Sequence, residues 1–275
     1  MRYSELFAAS LEKSGKNELS TAVEALIESS FGISRTRFWI RKNEVIRDVA
    51  GLRRFRLRLR RLLAGEPLAY ILKEKEFYGE RFAVTPAVLV PRPETELLVE
   101  KALAILGQEP AHVLDIGAGS GAISIILALR SRAEITALEI SRPALRILKE
   151  NITRFSVQER VRPLAGDLFP GKGETYQLIV ANPPYLSRKD WRDSPPSIRE
   201  YEPEIALVAG PSGTEVLRRI VAGVPCRLAP GGRLLLEIGK GQRPVVRDFL
   251  RAAGLREIEC IRDYAGIERV IVVKK

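Results

Sequence analysis

The chain has 275 residues, of which 45% are hydrophobic, and a formal net charge of +11. This length and apolar content predict a globular protein with one large domain and one small one. Apolar runs are short and the N-terminus "MRYSELFAASLEKSG" is charged, so we expect a cytoplasmic protein without an export signal or membrane segment. Cys226 and Cys260 lie far apart without metal-ligand spacing, which predicts reduced cysteines and no metal site.

Basic residues are concentrated at the N-terminal end. Residues 1–75 hold 16 Lys and Arg against 9 Asp and Glu, which accounts for +7 of the net charge. Two interpretations are equally open: a surface for an anionic partner, either nucleic acid or an acidic protein, or a solvated basic face.

Helix signals dominate residues 1–75, so we predict an N-terminal helical domain over this range. The segment 19–32 ends at a potential C-cap, Gly32, and Ser34 is placed to cap the next helix. The segment 51–67, "GLRRFRLRLRRLLAGEP", alternates locally like a strand. Over a longer window its apolar residues recur every three or four positions, so we interpret it as a helix with arginines on its outer faces.

Residues 76–90, "EFYGERFAVTPAVLV", predict a β-hairpin around Gly79 that connects two regions. From residue 91 to residue 275, strand-like runs alternate with helical stretches such as 143–155 and 213–228. This order predicts an α/β domain with a mostly parallel sheet covered by helices on both faces.

A glycine-rich turn follows the first of these strands in "VLDIGAGSGAISI". Gly117, Gly119 and Gly121, with Ala118 and Ser120 between them, allow the backbone to approach a ligand closely. The spacing differs from that of dinucleotide-binding and phosphate-binding loops. Asp115, just ahead of the loop, would repel a pyrophosphate but could hold the amino group of an amino-acid moiety.

Two acidic residues follow the next strand-like runs. Glu139 is placed to accept hydrogen bonds from ribose hydroxyls, and Asp167 from an adenine amino group, with Leu168 and Phe169 packing on the adenine ring. Since ligands of open α/β sheets bind at the carboxyl ends of strands, these residues together predict an adenosine site.

The stretch "LIVANPPYL", residues 178–186, ends a buried strand in a stiff turn. The Asn182 side-chain oxygen and the Pro183 carbonyl can accept both protons of a planar NH₂ group, while Pro184 rigidifies the turn and Tyr185 can lie against the flat group. We therefore predict Asn182, Pro183 and Tyr185 as catalytic residues. The sequence offers no obvious general base.

These motifs resemble known families. "VLDIGAGSG", the acid of "ALEIS", "GDLF" and "ANPPY" look like the motifs of class I methyltransferases that use S-adenosylmethionine, and Asn182 then also lies near the cofactor. "GEPLAYI", "EFYG", "PRPETE", "YEPEIAL" and "GGRLLLEIG" are similar to those of the HemK/PrmC family, which methylates the glutamine N5 of the Gly-Gly-Gln tripeptide in peptide chain release factors. The family implies a Rossmann-like, mostly parallel seven-stranded sheet.

The resemblance also implies partners and further site residues. S-adenosylmethionine would be converted to S-adenosylhomocysteine without a metal, and the N-terminal domain would help bind the release factor, with Arg92 and Glu94 near the substrate. Neither membrane nor nucleic acid would be required, although the ribosome can be close, and a monomer is expected. The chain departs from the family at Lys73, where glycine is expected.

Two alternatives belong to other functional classes. An adenine-N6 DNA methyltransferase shares "NPPY" and the cofactor, but only about ninety residues follow that turn, which leaves little room for target recognition. The other alternative is a non-catalytic RNA- or ribosome-binding protein with this fold, against which the intact turn argues.

Overall fold

A computed structural model describes residues 1–14, 19–171 and 173–275. The chain forms two compact units, Met1–Lys73 and Glu74–Lys275. The division lies two residues before the expected end of the helical domain, and the predicted connecting hairpin is part of the second unit.

The first unit is helical, as predicted. Its helices are α1 (Tyr3–Ser14), α2 (Ser20–Phe31), α3 (Arg35–Ile40), α4 (Val49–Leu63) and α5 (Leu68–Leu72). Gly32 ends α2 in the left-handed conformation at φ 64°, and the Ser34 side chain accepts the Arg37 N–H at the start of α3. Both predicted caps are confirmed. The unit has its own hydrophobic core, which includes Val23, Leu26, Ile27, Phe38 and Phe55.

The arginine-rich segment is a helix, α4, with Phe55 and Leu59 on its buried face. Its arginines are not all directed outwards. Arg54 donates to the Ser30 carbonyl, and Arg58 donates to the Ser29 hydroxyl at 2.9 Å. These two arginines therefore join α4 to α2, whereas Arg53, Arg56 and Arg60 lie on the exposed surface.

The second unit begins with a hairpin, β1 (Glu74–Phe77) and β2 (Glu80–Ala83). It turns at Gly79 as predicted but starts two residues before the predicted range 76–90 and ends at Ala83. Its two-residue loop is Tyr78 and Gly79, both at positive φ, which matches the twist of antiparallel strands. Asn151 anchors the hairpin because its side chain exchanges two hydrogen bonds with the Ala83 backbone.

Strands and helices alternate through the rest of this unit. The strands are β3 (His112–Ile116), β4 (Glu134–Glu139), β5 (Val161–Ala165), β6 (Tyr176–Ala181), β7 (Leu186–Ser187), β8 (Val208–Gly210), β9 (Leu228–Glu237), β10 (Arg256–Arg262) and β11 (Glu268–Lys274). The helices are α6 (Glu96–Leu106), α7 (Ala122–Arg130), α8 (Arg142–Arg154), α9 (Arg188–Arg192), α10 (Pro196–Arg199), α11 (Glu215–Gly223) and α12 (Arg243–Ala252).

The described residues form a seven-stranded main sheet in the order β10-β11-β9-β6-β3-β4-β5. Strands β9, β6, β3, β4 and β5 are parallel, and β11 pairs antiparallel with both β9 and β10. One face packs on α6, α7 and α8, and the other on α11 and α12. The predicted α/β fold is confirmed. Strand β4 lies on one side of β3 and β6 lies on the other. Because the connections after β3 and before β6 run in opposite directions across the sheet, a crevice forms at the carboxyl ends of β3 and β6.

Candidate active site

The glycine loop between β3 and α7 is fixed by backbone hydrogen bonds to the end of β4. Gly117 and Ala118 both donate to the Leu138 carbonyl. Gly121, at φ 83°, has no room for a side chain, because a Cβ there would lie 2.6 Å from Leu148 on α8. The loop is consequently held close to the helix and to the adjacent strand.

Glu139 lies at the end of β4 and is 7% exposed. One carboxylate oxygen accepts the Gly119 N–H at 2.8 Å and the other accepts the Ser141 N–H at 2.7 Å. Because each oxygen has a further lone pair, Glu139 can organise the loop and still accept hydrogen bonds from a ligand in the cavity.

Asp115 lies behind the loop. Side chains alternate along β3, so Asp115 shares a face with Val113 and points towards α7, where the Ser124 hydroxyl donates to it at 2.5 Å. It is fully buried, and burial raises the pKa of Asp115 to about 7. The structure therefore does not bring this carboxylate to the cavity, where the sequence analysis placed it.

Asp167 and Leu168 follow β5 and do reach the cavity. Asp167 forms an ion pair with Arg219 at 2.5 Å, and Arg219 also lines the cavity. Phe169 is placed differently from the prediction: its ring packs so closely on Gly223 of α11 that a Cβ there would approach it to 2.2 Å. The left-handed backbone of Leu168, at φ 60°, precedes this change of direction.

The turn after β6 enters the same cavity through Asn182, Pro183 and Pro184. The Asn182 side-chain NH₂ donates to the Thr95 hydroxyl oxygen at 2.9 Å. Tyr185 turns away from the cavity and packs near Gly239, and burial raises the pKa of its hydroxyl. Tyr185 is therefore not placed to stack on a substrate amide in the cavity, as the sequence had led us to expect.

The "PRPE" segment is divided between the cavity and its surroundings. Arg92 lines the cavity and forms an ion pair at 2.5 Å with Glu202, whose side chain is 2% exposed. Glu94 lies outside the cavity lining, and its charge acts on Tyr185 and Arg269. Glu202 was not among the predicted site residues.

The cavity has a volume of roughly 270 Å³. It brings together most of the predicted cofactor and substrate residues, namely Gly117, Ala118, Gly119, Ser120, Glu139, Asp167, Leu168, Asn182, Pro183, Pro184 and Arg92. Four predicted residues besides Asp115 do not line it: Gly121, Phe169, Tyr185 and Glu94.

Sequence reasoning missed Thr95, Arg219 and Glu237. Glu237 ends β9 as Glu139 ends β4, so the rule that identified one strand-end acid could have identified the other. Thr95 and Arg219 carried no signal of that kind, because a single threonine or arginine on a helical segment is most often a surface residue.

Within the described ranges, no His, Cys, Asp and Glu side chains group in threes that could hold a metal ion. No helix there is both long and apolar enough to cross a bilayer. The side chains of Cys226 and Cys260 are free thiols.

The fold and the cavity define the class of protein. Residues 93–194 match the model of the methyltransferase small domain. A methyltransferase from Pyrococcus furiosus has the same fold, with a TM-score of 0.55 over 79% of this chain and 97% of that one at 19% identity. The second unit is thus a methyltransferase domain.

The particular family follows from closer relatives. Residues 5–72 match the PrmC N-terminal domain. The chain is 43% identical to a release factor glutamine methyltransferase of Bordetella pertussis, over 90% of this chain and 93% of that protein. It is 35% identical to a protein of that name from Rhodopirellula baltica, over 100% of this chain and 96% of the relative. The chain belongs to the release factor glutamine methyltransferase family.

Proposed function

We propose that this enzyme transfers a methyl group from S-adenosylmethionine to the side-chain amide nitrogen, N5, of the glutamine in the Gly-Gly-Gln tripeptide of release factors, and so modulates translation termination. The observation that carries the proposal is that the glycine loop, Glu139 and the Asn182–Pro184 turn line one cavity. A methyl donor and a planar amide can therefore meet there. The names of these relatives favour neither the DNA-methylating nor the non-catalytic alternative.

The cofactor would bind at the carboxyl ends of β3, β4 and β5. Glu139 fits the ribose, because it lines the cavity and each of its oxygens, fixed by one N–H group, keeps a further lone pair for a ligand. Asp167 and Leu168 fit the adenine end, and Gly117 to Ser120 fit the amino-acid end. When bound, S-adenosylmethionine supplies an electrophilic methyl group.

Asn182 and Pro183 would act on the glutamine amide. Their carbonyl oxygens accept its two N–H bonds, which orients the nitrogen and stabilises the positive charge that develops on it. Proton loss from the nitrogen follows attack, so this arrangement requires no general base. Pro184 keeps the turn rigid, because it fixes its own φ and restricts the residue before it.

The remaining assignments concern substrate recognition. Arg92 lines the cavity while paired with Glu202, so it is placed to contact the backbone of the tripeptide loop. Glu94 and Tyr185 would support the turn from outside the cavity. The helical unit would contribute a surface for the body of the release factor. We also propose a cytoplasmic monomer that needs neither nucleic acid nor membrane and can act near the ribosome.

Mass spectrometry tests the proposal. Release factor is incubated with the enzyme and S-adenosylmethionine, and the expected result is the mass gain of one CH₂ group on the tripeptide glutamine. A factor whose tripeptide glutamine is replaced by alanine is the control. Methylation elsewhere on the factor, or on adenine in a DNA substrate offered in parallel, would overturn the assignment.

A further inference from the structure

The Asn182 side chain can serve a substrate amine in only one of its two orientations. Its oxygen accepts hydrogen bonds and its NH₂ group donates them, so a flipped amide would present two donors to a substrate that also donates. In the structure the NH₂ group donates to the Thr95 hydroxyl oxygen at 2.9 Å. The contact with Thr95 therefore decides which atom of Asn182 faces the cavity.

Thr95 can accept that bond reliably only if its own proton is directed elsewhere. It ends the short 3₁₀ turn Pro93–Thr95, it is 5% exposed, and it borders the cavity. The carboxyl group of Glu237 lies close to this hydroxyl, and the contact favours the ionised carboxylate. An ionised carboxylate accepts hydrogen bonds and donates none. Glu237 would therefore accept a hydrogen bond from the Thr95 O–H, and the Thr95 oxygen would remain an acceptor for the Asn182 NH₂ group.

Glu237 lies next to this contact because β9 pairs with β6, with Leu236 opposite Ala181. It is 2% exposed, and one of its oxygens has no hydrogen-bond partner among the described residues. The charged groups that act on it are Arg269 on β11 and Arg92 and Glu94 on the segment before α6. Burial outweighs the cations and raises the pKa of Glu237 to about 7.

We propose that Thr95 and Glu237 are positioning residues that hold the Asn182 amide in its productive orientation through a directed chain of two hydrogen bonds. The inference rests on the function proposed above. When Glu237 is protonated, it can donate to Thr95, whose proton is then free to bond the Asn182 oxygen. Both orientations of Asn182 become accessible, and the enzyme spends part of its time in the unproductive one.

The first test is the pH profile of methyl transfer to a Gly-Gly-Gln peptide. For the wild type, kcat should rise roughly tenfold as Glu237 ionises, the effect of one hydrogen bond, while KM for the peptide changes less than about threefold. Glu237→Gln should remove this dependence and fix kcat near its low-pH value. Thr95→Val should lower kcat and flatten the profile, and Thr95→Ser should restore both.

Asp115 must be separated from Glu237, because its pKa is also raised to about 7. Asp115→Asn should retain the rise of kcat with pH, whatever its effect on cofactor binding. If the rise disappears in Asp115→Asn and persists in Glu237→Gln, the proposal is wrong. Equal profiles for Thr95→Val and Thr95→Ser would also overturn it.

The second test does not depend on activity. The side-chain NH₂ resonances of Asn182, assigned by their loss in Asn182→Asp, are followed by NMR in the free protein. They should shift with pH near 7 in the wild type and stay constant in Glu237→Gln. A pH-independent signal in the wild type would refute the chain of hydrogen bonds, whereas a wild type that shows this shift but does not methylate the peptide would instead refute the proposed function.

Discussion

The two units bury carboxyl groups in different ways. In the helical unit, the buried Glu24 pairs with Arg35 at 2.6 Å and accepts the Trp39 indole N–H at 3.1 Å. A neighbouring arginine therefore compensates the charge of this carboxylate. In the second unit, Glu139 and Glu237 are the last residues of β4 and β9, and Asp115 is the last but one residue of β3. These three carboxyl groups have no cation within ion-pair distance among the described residues.

The difference shows what each unit is organised to do. Burying a carboxylate is costly unless hydrogen bonds or a cation compensate for lost hydration. The helical unit uses a buried carboxylate only to join its own helices. The second unit pairs one buried acid, Glu202, with Arg92 and keeps three others at strand ends. Of these three, hydrogen bonds hold Asp115 and Glu139, and Glu139 lines the ligand cavity. Four variants test the roles assigned to the two units.

Asn182→Ala should have the largest effect. Loss of one well-placed acceptor should reduce methyl transfer roughly a hundredfold or more, while affinity for S-adenosylmethionine stays within a few-fold. Single-turnover kinetics and calorimetry measure the two quantities separately. Undiminished turnover would show that this turn does not bind the amide.

Glu139→Ala should mainly weaken the cofactor complex, by about 1.5–3 kcal/mol for hydrogen bonds to a charged group. Glu134→Ala, at the exposed start of the same strand, is the matched control and should leave the dissociation constant unchanged. Calorimetry compares the two variants. If both bind S-adenosylmethionine like the wild type, Glu139 does not hold the ribose.

Replacing Arg53, Arg56 and Arg60 with Gln should lower kcat/KM for whole release factor roughly three- to tenfold at low salt and flatten its salt dependence, because positive charge speeds encounter with an acidic partner. Activity on a short Gly-Gly-Gln peptide should not change. Arg58 is left intact since it joins α4 to α2, and burial lowers the pKa of its guanidinium.

The control for this variant removes the same charge from the second unit through Arg247, Arg251 and Arg256, which are exposed. An equal loss in the control would mean that net charge alone matters. No loss in either variant would make the α4 arginines a solvated face, the other interpretation of the basic N-terminal region.

Lys73→Gly should have the smallest effect. Lys73 ends α5 at φ 63°, a left-handed conformation that costs roughly 1 kcal/mol for a residue with a side chain. Glycine should stabilise the helical unit by about that amount. Urea unfolding, followed by Trp39 fluorescence in a Trp191→Phe background, measures it.

Arg60→Gly, within α4, is the matched control and should destabilise the unit by about 1 kcal/mol, because its backbone is helical. A loss of stability in Lys73→Gly would show that the lysine side chain contributes more than its backbone strain costs.

Local patterns determined much of this protein. The three- and four-residue spacing of apolar residues correctly predicted a helix for α4 despite the alternation in "FRLRLR". A fifteen-residue helix offers a longer apolar face than a short strand. The glycine loop, the acid at the end of β4 and the turn after β6 were identifiable because their chemistry is carried by consecutive residues. The expected glycine at position 73 has a local cause as well, the positive φ at the end of α5.

Tertiary structure decided which of those residues meet and which way each side chain points. Asp115 turned to Ser124, Phe169 to Gly223 and Tyr185 towards Gly239, because strand alternation and helix packing set directions that no local pattern contains. The contacts of Asn182 with Thr95 and of Arg92 with Glu202 join residues 87 and 110 positions apart. Contacts over such separations arise from the order of strands in the sheet. The Asn182–Pro184 turn can therefore be identified from the sequence, but the groups that orient it are brought to it only by the folded sheet.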